Sequence, residues 1–268
     1  MPLPSLEHDG EPKGPTPGTS ERRGVRRGVY VLPALFTVGN IFCGFLSIEY
    51  ATRGAFDRAA MLLFLAAILD GLDGRVARLT GSTSAFGEQL DSLSDVISFG
   101  MAPAFIVYRW ALSDFDRLGL TVSFLFLVCG ACRLARFNVQ IHVVDKRFFV
   151  GLPIPSAAGA LIGLIWVLPD PLPTTQAKAV FLGVTLILSY LMISTIKYRS
   201  FKDFDLKSKR TPLLVPLIAA VIGLLLFLQE KAITALLVIY ALSGPVTRLL
   251  SPLFTRRTPR APASTGGA

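Results

Sequence analysis

Apolar runs long enough to cross a bilayer dictate the fold of this chain before any single residue is considered. They lie at about 31–52, 56–80, 89–112, 117–138, 152–169, 176–197, 212–229 and 231–251, measured against the ~20 residues a spanning helix needs. Lipid offers no partner to backbone N–H and C=O groups, so runs of this length close their hydrogen bonds within helices. A composition 52% hydrophobic and only 17% charged, with a mean hydropathy of +0.57, agrees. The expected fold is all-α, a polytopic membrane bundle of about eight transmembrane helices over residues 29–251. Residues 1–28 and 252–268, rich in Pro, Gly, Ser and basic side chains, read as disordered tails.

One stretch breaks the apolar pattern. Residues 70–95, DGLDGRVARLTGSTSAFGEQLDSLSD, put four aspartates and two arginines between and within the second and third runs. A charged side chain at the bilayer centre costs at least ~2.5–3.5 kcal/mol, so acids here point to function. Asp70 and Asp73 are spaced i, i+3 and Asp91 and Asp95 i, i+4, which places each pair on one face of its helix. Four facing carboxylates repel one another unless divalent cations lie between them, and an all-oxygen ligand set suits Mg²⁺ or Mn²⁺. Gly74, Ala77, Gly81 and Gly87 open room for a ligand at the backbone, and Arg78 offers a guanidinium to phosphate. The combination predicts a site for a metal-bound phosphate ester.

Asp70 lies about 21 Å along a helix that begins at Phe56, at ~1.5 Å per residue, and Asp91 and Asp95 lie in the first turns of the next. Both pairs therefore meet at the same membrane face. Basic residues mark that face: Arg22, Arg23, Arg26 and Arg27 precede the first run, Arg75 and Arg78 lie near the second connection, and Arg133, Arg136, Lys146 and Arg147 near the fourth. Lys197, Arg199, Lys202, Lys207, Lys209 and Arg210 follow the sixth. By the positive-inside rule both termini and the acid site face the cytoplasm, where soluble nucleotide-activated substrates arrive; the setting expected is a bacterial inner membrane.

Asp70-x-x-Asp73-Gly74-x-x-Ala77-Arg78, eight residues, then Gly87-x-x-x-Asp91-x-x-x-Asp95 resembles the complete signature of the membrane-embedded CDP-alcohol phosphotransferases. The resemblance implies a six-helix catalytic core and two divalent ions, Mg²⁺ or Mn²⁺, bound among Asp70, Asp73, Asp91 and Asp95. It further implies a nucleotide subsite at Gly74, Ala77, Arg78 and Gly87, and Asp95 as the general base. A homodimer embedded among membrane lipids is also implied, and no nucleic-acid partner.

Further stretches are similar to the subgroup that uses serine as acceptor, the CDP-diacylglycerol–serine O-phosphatidyltransferases. They are Leu32 to Thr37 with Asn40, Ser98 to Ala104, Arg133-Leu134-Ala135-Arg136-Phe137-Asn138, and Gly151 to Gly159. The implied reaction moves the phosphatidyl group of CDP-diacylglycerol to the hydroxyl of L-serine and releases CMP. A zwitterionic acceptor needs a cation for its carboxylate, so Arg133 and Arg136, with Asn138, are the candidates for acceptor or lipid-phosphate binding. Glycerol 3-phosphate or inositol as acceptor is the nearest alternative, and a cation transporter built on the same acids the more distant one. Cys43, Cys129 and Cys132 fall inside apolar runs and read as packing residues, and the Gly39/Gly44 and Gly159/Gly163 pairs as points of close helix approach.

Overall fold

The computed structural model of the chain describes residues 20–82, 84–140, 148–199 and 231–249. The apolar run at 212–229, the basic residues 146–147 and 202–210, and the tails at 1–19 and 252–268 lie outside the described residues. The helices, in chain order, are α1 (Ser20–Thr52), α2 (Phe56–Thr80), α3 (Ala85–Asp95), α4 (Ala102–Trp110), α5 (Asp116–Gln140), α6 (Ile154–Val167), α7 (Thr175–Ile193) and α8 (Lys231–Leu249). The all-α bundle read from the apolar pattern is the observed architecture. Two three-residue strands, β1 (Phe148–Val150) and β2 (Lys197–Arg199), pair antiparallel, with Phe149 opposite Tyr198.

Among the described residues, five helical stretches are long and apolar enough to cross a membrane, and α2 is not one of them. Its 25 residues are of spanning length, yet they include Asp57, Arg58, Asp70, Asp73, Arg75 and Arg78. The functional residues thus remove α2 from the hydropathy pattern that defines its neighbours. α1 begins at Ser20, inside the stretch read as a tail, because helical backbone continues beyond the apolar span that starts at Pro33.

Helix α3 does not end at Asp95. It passes through a π-helical turn, Val96–Met101, into α4, and the three segments form one 26-residue span. The cause is legible in the chain: Pro103 has no N–H for the carbonyl of Phe99 and its ring crowds it, so the turn widens. Ala102 N–H accordingly reaches back five residues to Ile97 O. Such wide turns re-aim the residues around them.

The centre of the bundle is α6. Ile154, Ala157, Ala158, Leu161, Ile162 and Ile165 are all buried, and a helix apolar all round is a core helix. It has only 14 residues, about 21 Å, which is short of the ~30 Å hydrocarbon core. α8 lies against it at Gly159 and Gly163, where an added Cβ would come within 2.8 Å of Leu237 Cδ1 and 2.6 Å of Thr234 Oγ1. Tyr198 of β2 ties α8 down from outside: its hydroxyl donates to Ala241 O at 3.1 Å, and its ring lies 5.6 Å from that of Tyr240.

The bundle is closed at the end remote from the acids. There Trp110 Nε1 donates to Asp170 O at 3.2 Å, and Lys178 pairs with Asp114. Replacing Gly163 with Val would force α6 and α8 apart. We expect a loss of about 1–3 kcal/mol, read as a lower melting temperature in detergent.

Candidate active site

The site is assembled from three helices that meet at one end of the bundle. α2 ends in a left-handed Gly81 (φ 63°), and α3 starts from Ser84, whose side chain accepts the N–H of Gly87 at 3.0 Å. This short connection returns the chain beside itself, so that carboxylate oxygens of Asp70 on α2 and of Asp91 and Asp95 on α3 lie within 4.8 Å of one another. Asp91 Oδ1 and Asp95 Oδ1 are buried and lack a hydrogen-bond partner. Buried acceptors without donors are costly, and three gathered carboxylates repel. A hard divalent cation satisfies both conditions at once, so the donor set fits the metal expected from the sequence.

Asp73 stands one turn further along α2, outside that triple. It is 4% exposed, and its Oδ2 accepts the hydroxyl of Thr37 on α1 at 3.0 Å. Asp70 Oδ1 accepts Asn40 Nδ2, also on α1, at 3.4 Å. The serines of the π-turn region face the same strip of α1: Ser94 Oγ donates to Thr37 O at 3.5 Å and Ser98 Oγ to Asn40 O at 3.0 Å. Thr37 and Asn40 appear in the sequence only within a general first-helix pattern. Nothing in a single chain says which acids they touch, because the contacts span thirty residues or more.

The remaining site residues sort by environment. Gly74 and Ala77 are half-buried, and Gly87 and Arg78 are exposed at the polar end. The Arg78 guanidinium lies over Gly74, where a Cβ would come within 3.7 Å of it. Arg133 is buried, 5% exposed, with its guanidinium 5.2 Å from the Phe137 ring centre and electrostatic neighbours in Asp95 and in Tyr240 of α8. Tyr240 lies more than a hundred residues from Arg133 along the chain, so only the fold reveals it as a neighbour.

Arg136, one turn on, faces elsewhere. Its fork donates to the carbonyls of Ile193 at 2.9 Å, Met192 at 3.1 Å and Ser194 at 3.2 Å, and to Val150 O at 3.3 Å. The first three are carbonyls at the end of α7, where a cation is also favoured by the helix dipole, and Val150 belongs to β1. Asn138 Nδ2 donates to Ser92 Oγ at 2.9 Å, fastening the end of α5 to α3 between Asp91 and Asp95. A groove of about 610 Å³ runs between α2, α6 and α8, lined among others by Met61, Phe64, Ile68, Phe99, Ile162 and Trp166. Ile68 precedes Asp70 by two residues in α2, and Phe99 follows Asp95 by four in the π turn.

The family model described as CDP-alcohol phosphatidyltransferase matches residues 30–194, which include every acid of the cluster and Arg133 and Arg136 of α5. The chain belongs to the CDP-alcohol phosphatidyltransferase family. Among relatives of this phosphatidyltransferase, the CDP-diacylglycerol–serine O-phosphatidyltransferase of Helicobacter pylori strain J99 is 46% identical over 176 residues, covering 65% of this chain and 74% of the relative. The Bacillus subtilis protein of the same name is 33% identical over 171 residues, 64% and 91% of the two chains. An archaetidylserine synthase of Methanothermobacter thermautotrophicus is 40% identical over 169 residues, 62% and 69%. α8 lies beyond the part of the phosphatidyltransferase that the family model matches.

Two substitutions separate the metal-binding candidates from the scaffold. Asp91→Asn is expected to weaken Mn²⁺ binding more than the ~10–100-fold typical of losing an outer partner, measured by titration of the purified protein. Arg136→Lys keeps the charge but not the fork, so it should lower the melting temperature, by about 2 kcal/mol of stability, and leave Mn²⁺ affinity unchanged.

Proposed function

We propose that the protein transfers the phosphatidyl group of CDP-diacylglycerol to the hydroxyl of L-serine, giving phosphatidylserine and CMP. The observation that carries this reading is the meeting of Asp70, Asp91 and Asp95 within 4.8 Å beside the buried Arg133. The names of the matched relatives support serine as the acceptor. The 610 Å³ apolar groove between α2, α6 and α8 takes the acyl chains, so that the diphosphate lies at the polar end.

In this reading Asp70, Asp73, Asp91 and Asp95 would hold two divalent ions, Mg²⁺ or Mn²⁺, which would supply neutralisation of charge on the phosphoryl oxygens. Gly74, Ala77 and Gly87 admit the nucleotide at the backbone, and Arg78 lies over it. Arg133 receives the serine carboxylate in a dry setting that strengthens the pair, while Arg136 and Asn138 keep α7 and α3 in place around it. Asp95 takes the proton of the serine hydroxyl as its oxygen bonds to the phosphatidyl phosphorus. The phosphorus–oxygen bond to CMP breaks, and CMP carries away the electron pair. Positioning and a base matter most here, since a serine hydroxyl is a weak nucleophile at neutral pH.

In this reading the acid end faces the cytoplasm of a bacterial inner membrane, an orientation that the basic residues around it support by the positive-inside rule. Its substrates then arrive from two phases: CDP-diacylglycerol laterally, and serine from water.

The test is CMP release in mixed micelles with CDP-diacylglycerol and Mg²⁺ or Mn²⁺, comparing L-serine, glycerol 3-phosphate, inositol and no acceptor. Serine-dependent, metal-dependent release is expected, and preference for another acceptor would overturn the assignment of serine. Asp95→Asn should lower turnover by about 10²–10⁴-fold. Ile68→Trp, which fills the groove, should raise KM for long-chain CDP-diacylglycerol by about tenfold, in proportion to the apolar contact displaced.

A further inference from the structure

The acids of α2 and α3 share one neighbour, α1, and its contacts with them are not those of a packing helix. Thr37 and Asn40 sit i, i+3 on one face, and each works in both directions. Their side chains donate to Asp73 and Asp70 of α2, at 3.0 and 3.4 Å. Their backbone carbonyls accept Ser94 and Ser98, at 3.5 and 3.0 Å. Ser94 immediately precedes Asp95, and Ser98 lies in the π turn that follows it. Both acid pairs are therefore referenced to the same two residues.

Two further observations set this strip apart from ordinary packing. Gly44, one turn beyond Asn40, permits the approach: a Cβ there would lie 2.6 Å from Ser98 Oγ and 3.0 Å from Ser98 Cα. Asn40 itself is fully buried, and its Oδ1 has no hydrogen-bond partner. A buried unpaired amide oxygen costs about 1–3 kcal/mol, a cost that an aliphatic side chain at position 40 would avoid. The amide at this position is thus explained by what its Nδ2 does to Asp70 and not by core packing.

We propose that α1 is the positioning element of the metal site, with Asn40 as the positioning residue that fixes Asp70 on one side and, through its carbonyl and Ser98, the Asp91–Asp95 helix on the other. The proposal rests on the reading of the acid cluster as a metal site. Outer partners that orient carboxylate ligands are worth about 10–100-fold in metal affinity.

The experiment is Mn²⁺ titration of the purified full chain in micelles, followed by electron paramagnetic resonance without any substrate, together with melting temperatures in the absence of metal. Asn40→Ala is expected to weaken Mn²⁺ binding at least tenfold. Ser98→Ala leaves every acid and Asn40 in place and serves if Asn40→Ala does not fold; a loss of roughly fivefold is expected from one hydrogen bond. Ser47→Ala, which removes only a bond from Ser47 Oγ to Gly44 O within α1, should bind Mn²⁺ like the native protein. A merely structural Asn40 would lower the melting temperature and leave the affinity within twofold of native, which would overturn the proposal. Absence of Mn²⁺ binding by the native protein would instead overturn the metal-site reading beneath it.

Discussion

Mutual repulsion among carboxylates is the constraint on which the rest of this molecule depends. Three of them place oxygens within 4.8 Å, and two unit charges 4 Å apart interact by about 4 kcal/mol even at an effective dielectric of 20. Left to themselves, helices bearing such groups would turn them outward to water. Here α2 ends at a left-handed Gly81, α3 starts from its Ser84 cap, and α5 fastens α3 through Asn138 and Ser92. The packing of the bundle holds the charges in place, and the energy thus stored makes the cluster receptive to a cation.

The two ends of the bundle divide the labour accordingly. At one end, Trp110 to Asp170 O and Asp114 to Lys178 close the helices together through pairings with no role in the site. At the other, polar bonds run sideways between helices: Thr37 to Asp73, Ser98 to Asn40 O, Arg136 to the last carbonyls of α7. Between them, α6 supplies an apolar core that lets neither set of polar groups reach the other. The family's chemistry is confined to one end because only that end is held by groups able to take part in it.

Much of this was legible in the sequence, for physical reasons that differ by feature. The apolar runs announce helices because lipid leaves the backbone no other choice, and the spacing of Asp70, Asp73, Asp91 and Asp95 survives any uncertainty in tertiary packing because it is fixed within each helix. Gly159 and Gly163 read as points of close approach, and α8 lies there. The sequence also places Arg133 and Arg136 one turn apart and cannot separate them. Only the fold shows that one is buried near Asp95 while the other caps α7. The π turn was hidden for the same reason, since Pro103 signals a break but not its form, and the contacts of Asn40 depend on a partner thirty residues away.

The brevity of α6 has a consequence for the segment that leads into it. Its first residue, Ile154, lies against Gly130, where a Cβ would come within 2.6 Å of Ile154 Cδ1, and α5 continues for ten more residues to Gln140, roughly 15 Å. Beside that extension the lead-in is pinned on both sides: Gly151 N–H donates to Ile196 O at 2.8 Å and Leu152 N–H to Leu191 O at 3.0 Å, while Arg136 of α5 donates to Val150 O. A central helix of full spanning length would claim that space for itself; a short one leaves it to a strand and a turn that lock the ends of α5 and α7 together, one turn from Arg133.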